Sequence, residues 1–117
     1  MNKKLPKQLP ELYYGNKEYK WKWCKESILL LNKRATQLLF RLNEGNGKAI
    51  YILGILDNGY TIGISEEELN ASLKFMNKIV NIIDAKIHSI RIYEGLEGGY
   101  IATIRITKEL MNFFAFN

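Results

Sequence analysis

The chain has 117 residues, 47% hydrophobic and 25% charged, with 17 Lys and Arg against 12 Asp and Glu for a net charge of +5. That composition suits one globular domain able to bury a core without staples, and it excludes a disordered or collagen-like chain. No run is long enough to span a bilayer, and Cys24, the only cysteine, rules out an internal disulfide and makes a reducing cytoplasm the expected compartment.

Residues 1–16 hold both prolines, Pro6 and Pro10, with Lys3, Lys4 and Lys7. The segment has a basic start but no apolar stretch behind it, so it is not a signal peptide. It reads as a flexible or extended leader without a core of its own, a solvated tail more readily than an RNA contact. Tyr19 to Lys25, YKWKWCK, alternates. Period two predicts a half-buried strand with Tyr19, Trp21 and Trp23 on the core and Lys20 and Lys22 outside. Rings interleaved with lysines also suit a nucleic-acid stacking platform, but that use needs the rings exposed.

Ser27 to Glu44 carries Leu31, Ala35, Leu38 and Leu42 at helical spacing, with Ser27 as candidate cap and Gly45 as stop. Its polar face carries Lys33, Gln37, Arg41 and Glu44. The stretch from Gly45 to Gly63, GNGKAIYILGILDNGYTIG, organises the rest. Lys48 to Leu56 reads as a largely buried strand and Tyr60 to Ile64 as its hairpin partner, with Asp57-Asn58-Gly59 as the tight turn. Gly45 and Gly47 are the turn residues before it. Ser65-Glu66-Glu67-Glu68 matches a capping box that opens a second helix, with Leu69, Leu73, Met76, Val80 and Ile83 as its buried stripe. Lys86 to Tyr93 and Tyr100 to Ile106 then form a second hairpin across a glycine-rich loop.

Strand, helix, strand, strand, helix, strand, with an added final strand, predicts an α+β two-layer sandwich. Two helices pack on one face of an antiparallel sheet in ferredoxin-like β-α-β-β-α-β order. The expected organisation is a leader at 1–16, one domain at 17–107, and a tail or linker at 108–117 rich in Phe113, Phe114 and Phe116.

The catalytic motifs fail on inspection. A phosphate-binding loop needs a Gly five positions before its Gly-Lys pair and a Ser or Thr after it. Around Gly47-Lys48 those positions hold Leu42 and Ala49, and the segment joins helix to strand instead of strand to helix. The three glutamates at 66–68 are explained by capping. His88, the sole histidine, has no partner at ligand spacing, so neither a metal site, nor a Ser-His dyad, nor a small-molecule substrate is indicated.

Particular residues carry a resemblance. They are Leu9-Pro10-Glu11, Gly15-Asn16, Glu18-Tyr19-Lys20, Thr36-Gln37, Arg41-Leu42 and Glu44-Gly45, then Gly47, Ala49, Tyr51, Gly54, Asp57, Gly59 and Gly63, and Glu67-Glu68, Ala71-Ser72 and Leu73. On these the chain resembles the N-terminal region of the GTP-binding protein 1 and 2 group, GTPases similar to translation elongation factor 1A. The likeness covers most of Leu9 to about Arg91. In that family the region precedes a GTPase domain with a phosphate-binding loop and a guanine-reading Asn-Lys-x-Asp, both lacking here. The resemblance therefore implies a non-catalytic accessory domain without a cofactor of its own, with GTP and Mg expected only in a downstream domain. Trp21 and Trp23 stand where the family usually has aliphatics, which marks a diverged member. The Lys-, Asn-, Ile- and Tyr-rich composition fits an AT-rich eukaryotic or large-virus source and accounts for part of the basic charge.

Two functional expectations follow. One is a module that positions an elongation-factor-like GTPase on ribosome, RNA or a protein partner through Lys33, Gln37, Arg41 and Glu44. The other is a free-standing RNA-binding or protein-interaction module using Lys20, Lys22, Lys25 and Arg34. An enzyme ranks last for want of convergent acid, base or metal groups, and no membrane partner is expected.

Overall fold

A computed structural model describes residues 2–23 and 30–109. The expectations placed on Cys24, Lys25, Ser27 and the phenylalanine-rich end lie outside the described residues. Strands β1 (Lys17–Lys20), β2 (Lys48–Leu53), β3 (Lys86–Glu94) and β4 (Tyr100–Thr107) and helices α1 (Leu31–Glu44) and α2 (Glu66–Ile82) follow in the order β1-α1-β2-α2-β3-β4. The strands form one sheet in the order β1-β2-β4-β3. The class is α+β as expected, and the order of strands and helices fits a ferredoxin-like arrangement.

Each helix forms where the sequence supplies its face and its ends. Helix α1 buries Ala35, Leu38 and Leu42, which recur at helical spacing. The chain turns off at its C-cap Gly45, where only glycine fits: a Cβ there would stand 1.8 Å from the Lys48 carbonyl oxygen. Helix α2 opens with the expected capping box. The Ser65 hydroxyl accepts from Glu68 N at 3.1 Å while Glu68 Oε1 accepts from Ser65 N at 3.0 Å. Leu69, Ser72, Phe75, Met76, Ile79 and Val80 are buried along it.

Both helices cover one face of the sheet, against Ala49, Tyr51 and Leu53 of β2 and Ala102, Ile104 and Ile106 of β4. Alternation sends their neighbours Ile52 and Ile101 to the opposite face, where Tyr19 and Ile55 join them against Leu5. The cover on this second face is the N-terminal segment. Leu5 N donates to Glu94 O at 3.0 Å, Gln8 N to Gly59 O at 2.8 Å and Glu11 N to Asp57 O at 2.9 Å. Instead of trailing in solvent, residues 3–11 run as a strap across the molecule.

Three local expectations change. The sheet is mixed, because α1 carries the chain over so that β1 and β2 pair in parallel, while β2–β4 and β3–β4 are antiparallel. Tyr60 to Ile64 is not a strand. Both sides of β2 are occupied, by β1 and by β4, so the returning chain makes only a bridge from Ile64 to Tyr100. The aromatic alternation also breaks. β1 ends at Lys20, where the chain leaves the sheet and period two stops applying. Tyr19 points to the strap face, and Trp21 is 45% exposed. Trp23 enters the helix-side core, with its backbone N–H donating to Ser72 Oγ at 2.9 Å and its ring centroid 5.1 Å from that of Phe75.

Candidate interaction surfaces

The expected polar stripe of α1 does not form one surface. Lys33 is exposed and Gln37 partly buried, but Arg41 is only 4% exposed. It lies on the side of α1 that faces β1. Its Nε donates to Glu18 Oε1 at 2.8 Å, Nη1 to Gly15 O at 2.9 Å and Nη2 to Leu12 O at 2.8 Å. Glu18 is 3% exposed, and Glu11 Oε2 stands 4.0 Å from Arg41 Nη2 while accepting from Tyr19 N. Exposed Glu44 accepts from Gly15 N at 3.0 Å. Arg41 and Glu44 therefore clamp the strap's end onto the helix. A planar donor fork suits this work of satisfying several oxygens at once. The stripe was misread because periodicity gives a face its polarity, whereas the neighbouring element decides whether the face is covered.

Burial raises the Glu11 carboxyl above its usual range, partly offset by the bond from Tyr19 N. Burial also pushes the Tyr51 phenol up, with the charges of Arg41 and Arg34 opposing the shift.

The second expected set, Lys20, Lys22, Lys25 and Arg34, is also mostly engaged. Lys20 Nζ lies 3.4 Å from Glu18 Oε2 and Lys22 Nζ 2.6 Å from Glu68 Oε2. Lys22 also sits over the Trp21 ring at 4.3 Å. Lys22, then the Ser65 backbone, hold the Glu68 carboxyl down to about 2. Arg34 is partly buried on α1, and Lys25 lies outside the described residues. Cations already matched by carboxylates make weak phosphate ligands, since binding would first have to break those pairs.

The turn residues serve the strap. Gly59 has φ +93°, and a Cβ there would meet Gln8 O at 2.1 Å. Asp57 O and Gly59 O accept the strap's amides, and the Asn58 side chain accepts from Tyr60 N at 2.9 Å. Gly47 has φ +94° and its N–H closes onto Leu42 O at 2.8 Å.

Beside the strap lies a groove of about 550 Å³, lined by Leu9, Pro10, Leu12, Tyr14, Lys17 and Tyr19 among others. Around it Leu9 is 83% exposed, Leu12 56%, Tyr13 97% and Tyr14 66%. Sequence reading passed over this apolar patch, although a solvated tail needs neither the leucines nor the paired tyrosines. Among the described residues, no group of three or more His, Cys, Asp or Glu is placed to hold a metal. Nor is any helix long and apolar enough to cross a membrane.

No protein-family model matches the chain, and no solved structure matches it significantly. Curated relatives do. GTP-binding protein 2 of human and of mouse each share 40% identity over 82 residues, 70% of this chain. An uncharacterized protein of Acanthamoeba polyphaga mimivirus shares 31% over 102 residues, 86% of this chain and 54% of the viral protein. The chain spans only 14% of the length of the GTP-binding protein 2 relatives. The resemblance carried by residues from Leu9 to about Arg91 is thereby borne out: the chain is similar to one segment of GTP-binding protein 2, consistent with a domain of the GTP-binding protein family.

Proposed function

We propose that this chain is a non-catalytic accessory domain of an elongation-factor-like GTP-binding protein, which it positions on ribosome, RNA or a protein partner. The observation that carries the reading is the 40% identity to a short segment of GTP-binding protein 2, joined to the absence of a phosphate-loop pattern in this sequence. On this reading GTP and Mg belong to a downstream domain, and the work is done in the cytoplasm. The test is the mass of the endogenous polypeptide, detected with an antibody against this domain. A product several times heavier than 13.6 kDa that binds GTP is the expected result, and a product of that same mass overturns it.

One finding favours a stand-alone module as the second reading. The 102 matched residues already make up 54% of the viral relative. The rest of that protein is shorter than the matched part, which leaves room for no more than one further small domain.

A further inference from the structure

The half of the sheet that the strap leaves open is basic. Alternation assigns each strand residue to a face, with the helix-side core as reference. Lys48 precedes Ala49, Lys86 precedes Ile87, Arg105 lies between Ile104 and Ile106, and Arg91 lies between Ile90 and Ile92. All four references are on the helix side by packing or by register. Lys17 shares its side with Tyr19, which lies in the strap-side cluster. Lys17, Lys48, Lys86, Arg91 and Arg105 are all exposed. Among the described residues none of the five has a carboxylate within 4.0 Å, in contrast to Lys20, Lys22 and Arg41. No strand residue of this face is acidic, since Glu18 turns to α1 and Glu94 falls in register with the helix side.

The register fixes the pattern. Lys48, Thr107 and Lys86 form one row across the strands. Lys17, Ile50, Arg105 and Ser89 form the next, and Thr103 and Arg91 the third. Cations in one row stand about 10 Å apart, two strand spacings, and successive rows about 7 Å apart. Thr107, Thr103 and Ser89 place hydroxyls between them. Lys17 also lines the groove with Tyr14, which is 66% exposed. An unpaired cationic array bordered by an exposed ring is what a single polynucleotide strand needs: charge for its phosphates and a flat face for an unstacked base.

We propose that the open face of the sheet binds single-stranded nucleic acid, with Lys17, Lys48, Lys86, Arg91 and Arg105 on the phosphates and Tyr14 stacking on a base. This deepens the accessory-domain reading and rests on it for the purpose of the contact, whereas the contact is a property of the chain alone.

The test is fluorescence anisotropy of the full chain with an oligouridine of about 12 nucleotides, within the size range such sheet surfaces cover. Oligothymidine is the sugar comparison and a glutamate oligopeptide the acidic-protein probe. With three to five phosphates engaged, raising salt from about 50 to about 200 mM lowers affinity roughly 10- to 100-fold. Lys48→Gln with Arg105→Gln flattens that slope by about 1.4, while Lys33→Gln on α1 leaves it unchanged. Tyr14→Ala weakens binding about tenfold without changing the slope. Tighter binding of either polynucleotide than of the peptide supports the proposal, and a preference for oligouridine identifies RNA. No binding, a flat salt response, equal loss with Lys33→Gln, or equal binding of the peptide overturns it. The mass of the endogenous protein does not enter any of these outcomes, so this proposal and the accessory-domain reading fail separately.

Discussion

The two faces of the sheet are covered in different ways. On one, two amphipathic helices bury a continuous core that includes Leu38, Leu42, Met76, Ile79, Ile104 and Ile106. On the other, four buried side chains, Tyr19, Ile52, Ile55 and Ile101, meet a strap through Leu5. The first cover is held by apolar area, at about 25 cal/mol per Å² removed from water. The second is held by directed contacts: backbone hydrogen bonds to Asp57, Gly59 and Glu94, and the Arg41 fork onto Leu12, Gly15 and Glu18. Burial by area tolerates small adjustments, whereas a directed clamp depends on a few atoms. The strap is therefore the element expected to open below the global unfolding free energy.

Arg41→Met tests the clamp most severely, because it leaves buried Glu18 with Lys20 as its one remaining cation and strips the donors from Leu12 O and Gly15 O. A loss of about 3–5 kcal/mol is expected in urea unfolding. Adding Glu18→Leu restores the part due to the buried carboxylate, while the Leu12 and Gly15 carbonyls stay unpaired. A double variant as unstable as the single would show that the pair is not what holds the strap. Leu38→Ala, at a fully buried position, costs about 2–5 kcal/mol. That loss should appear evenly in the hydrogen exchange of both faces, since it removes area from the common core.

Gly59→Ala adds a Cβ against Gln8 O at a φ of +93°, for about 1–3 kcal/mol. Exchange at the Leu5, Gln8 and Glu11 amides should rise first, and uniform acceleration would contradict the separation of the two covers. Ser65→Ala removes the α2 cap for about 1 kcal/mol and leaves strap exchange unchanged.

The smallest effect is in pH. Glu68 is held at about 2 against an ordinary 4.5. Its contribution is therefore full above about 4.5 and lost as pH falls towards 2. Glu11, raised by burial, acts oppositely and adds stability as pH falls. Glu68→Gln should flatten the acid limb of stability between those values, and an unchanged limb would remove the Lys22 pair from the account.

The elements built from local pattern were legible. The α2 cap, the α1 stripe, the glycine loop between β3 and β4, and the α+β class follow from spacing and turn chemistry within short windows. The candidate sites were less so. Arg41 belongs to a polar stripe in sequence, yet β1 and the strap close over it. Asn58-Gly59 has the composition of a hairpin turn, but only Gly59 has positive φ, and its freedom is spent on admitting the strap.

The five cations of the open face lie far apart in the chain, between Lys17 and Arg105, so no window contains them. Strand pairing alone makes them neighbours. What the sequence determined by itself was which residues form helices and strands and which face of each is apolar, because those properties rest on contacts a few residues apart. What only the tertiary structure decided was which polar side chains are clamped and which stay free, because that depends on what the fold lays over them.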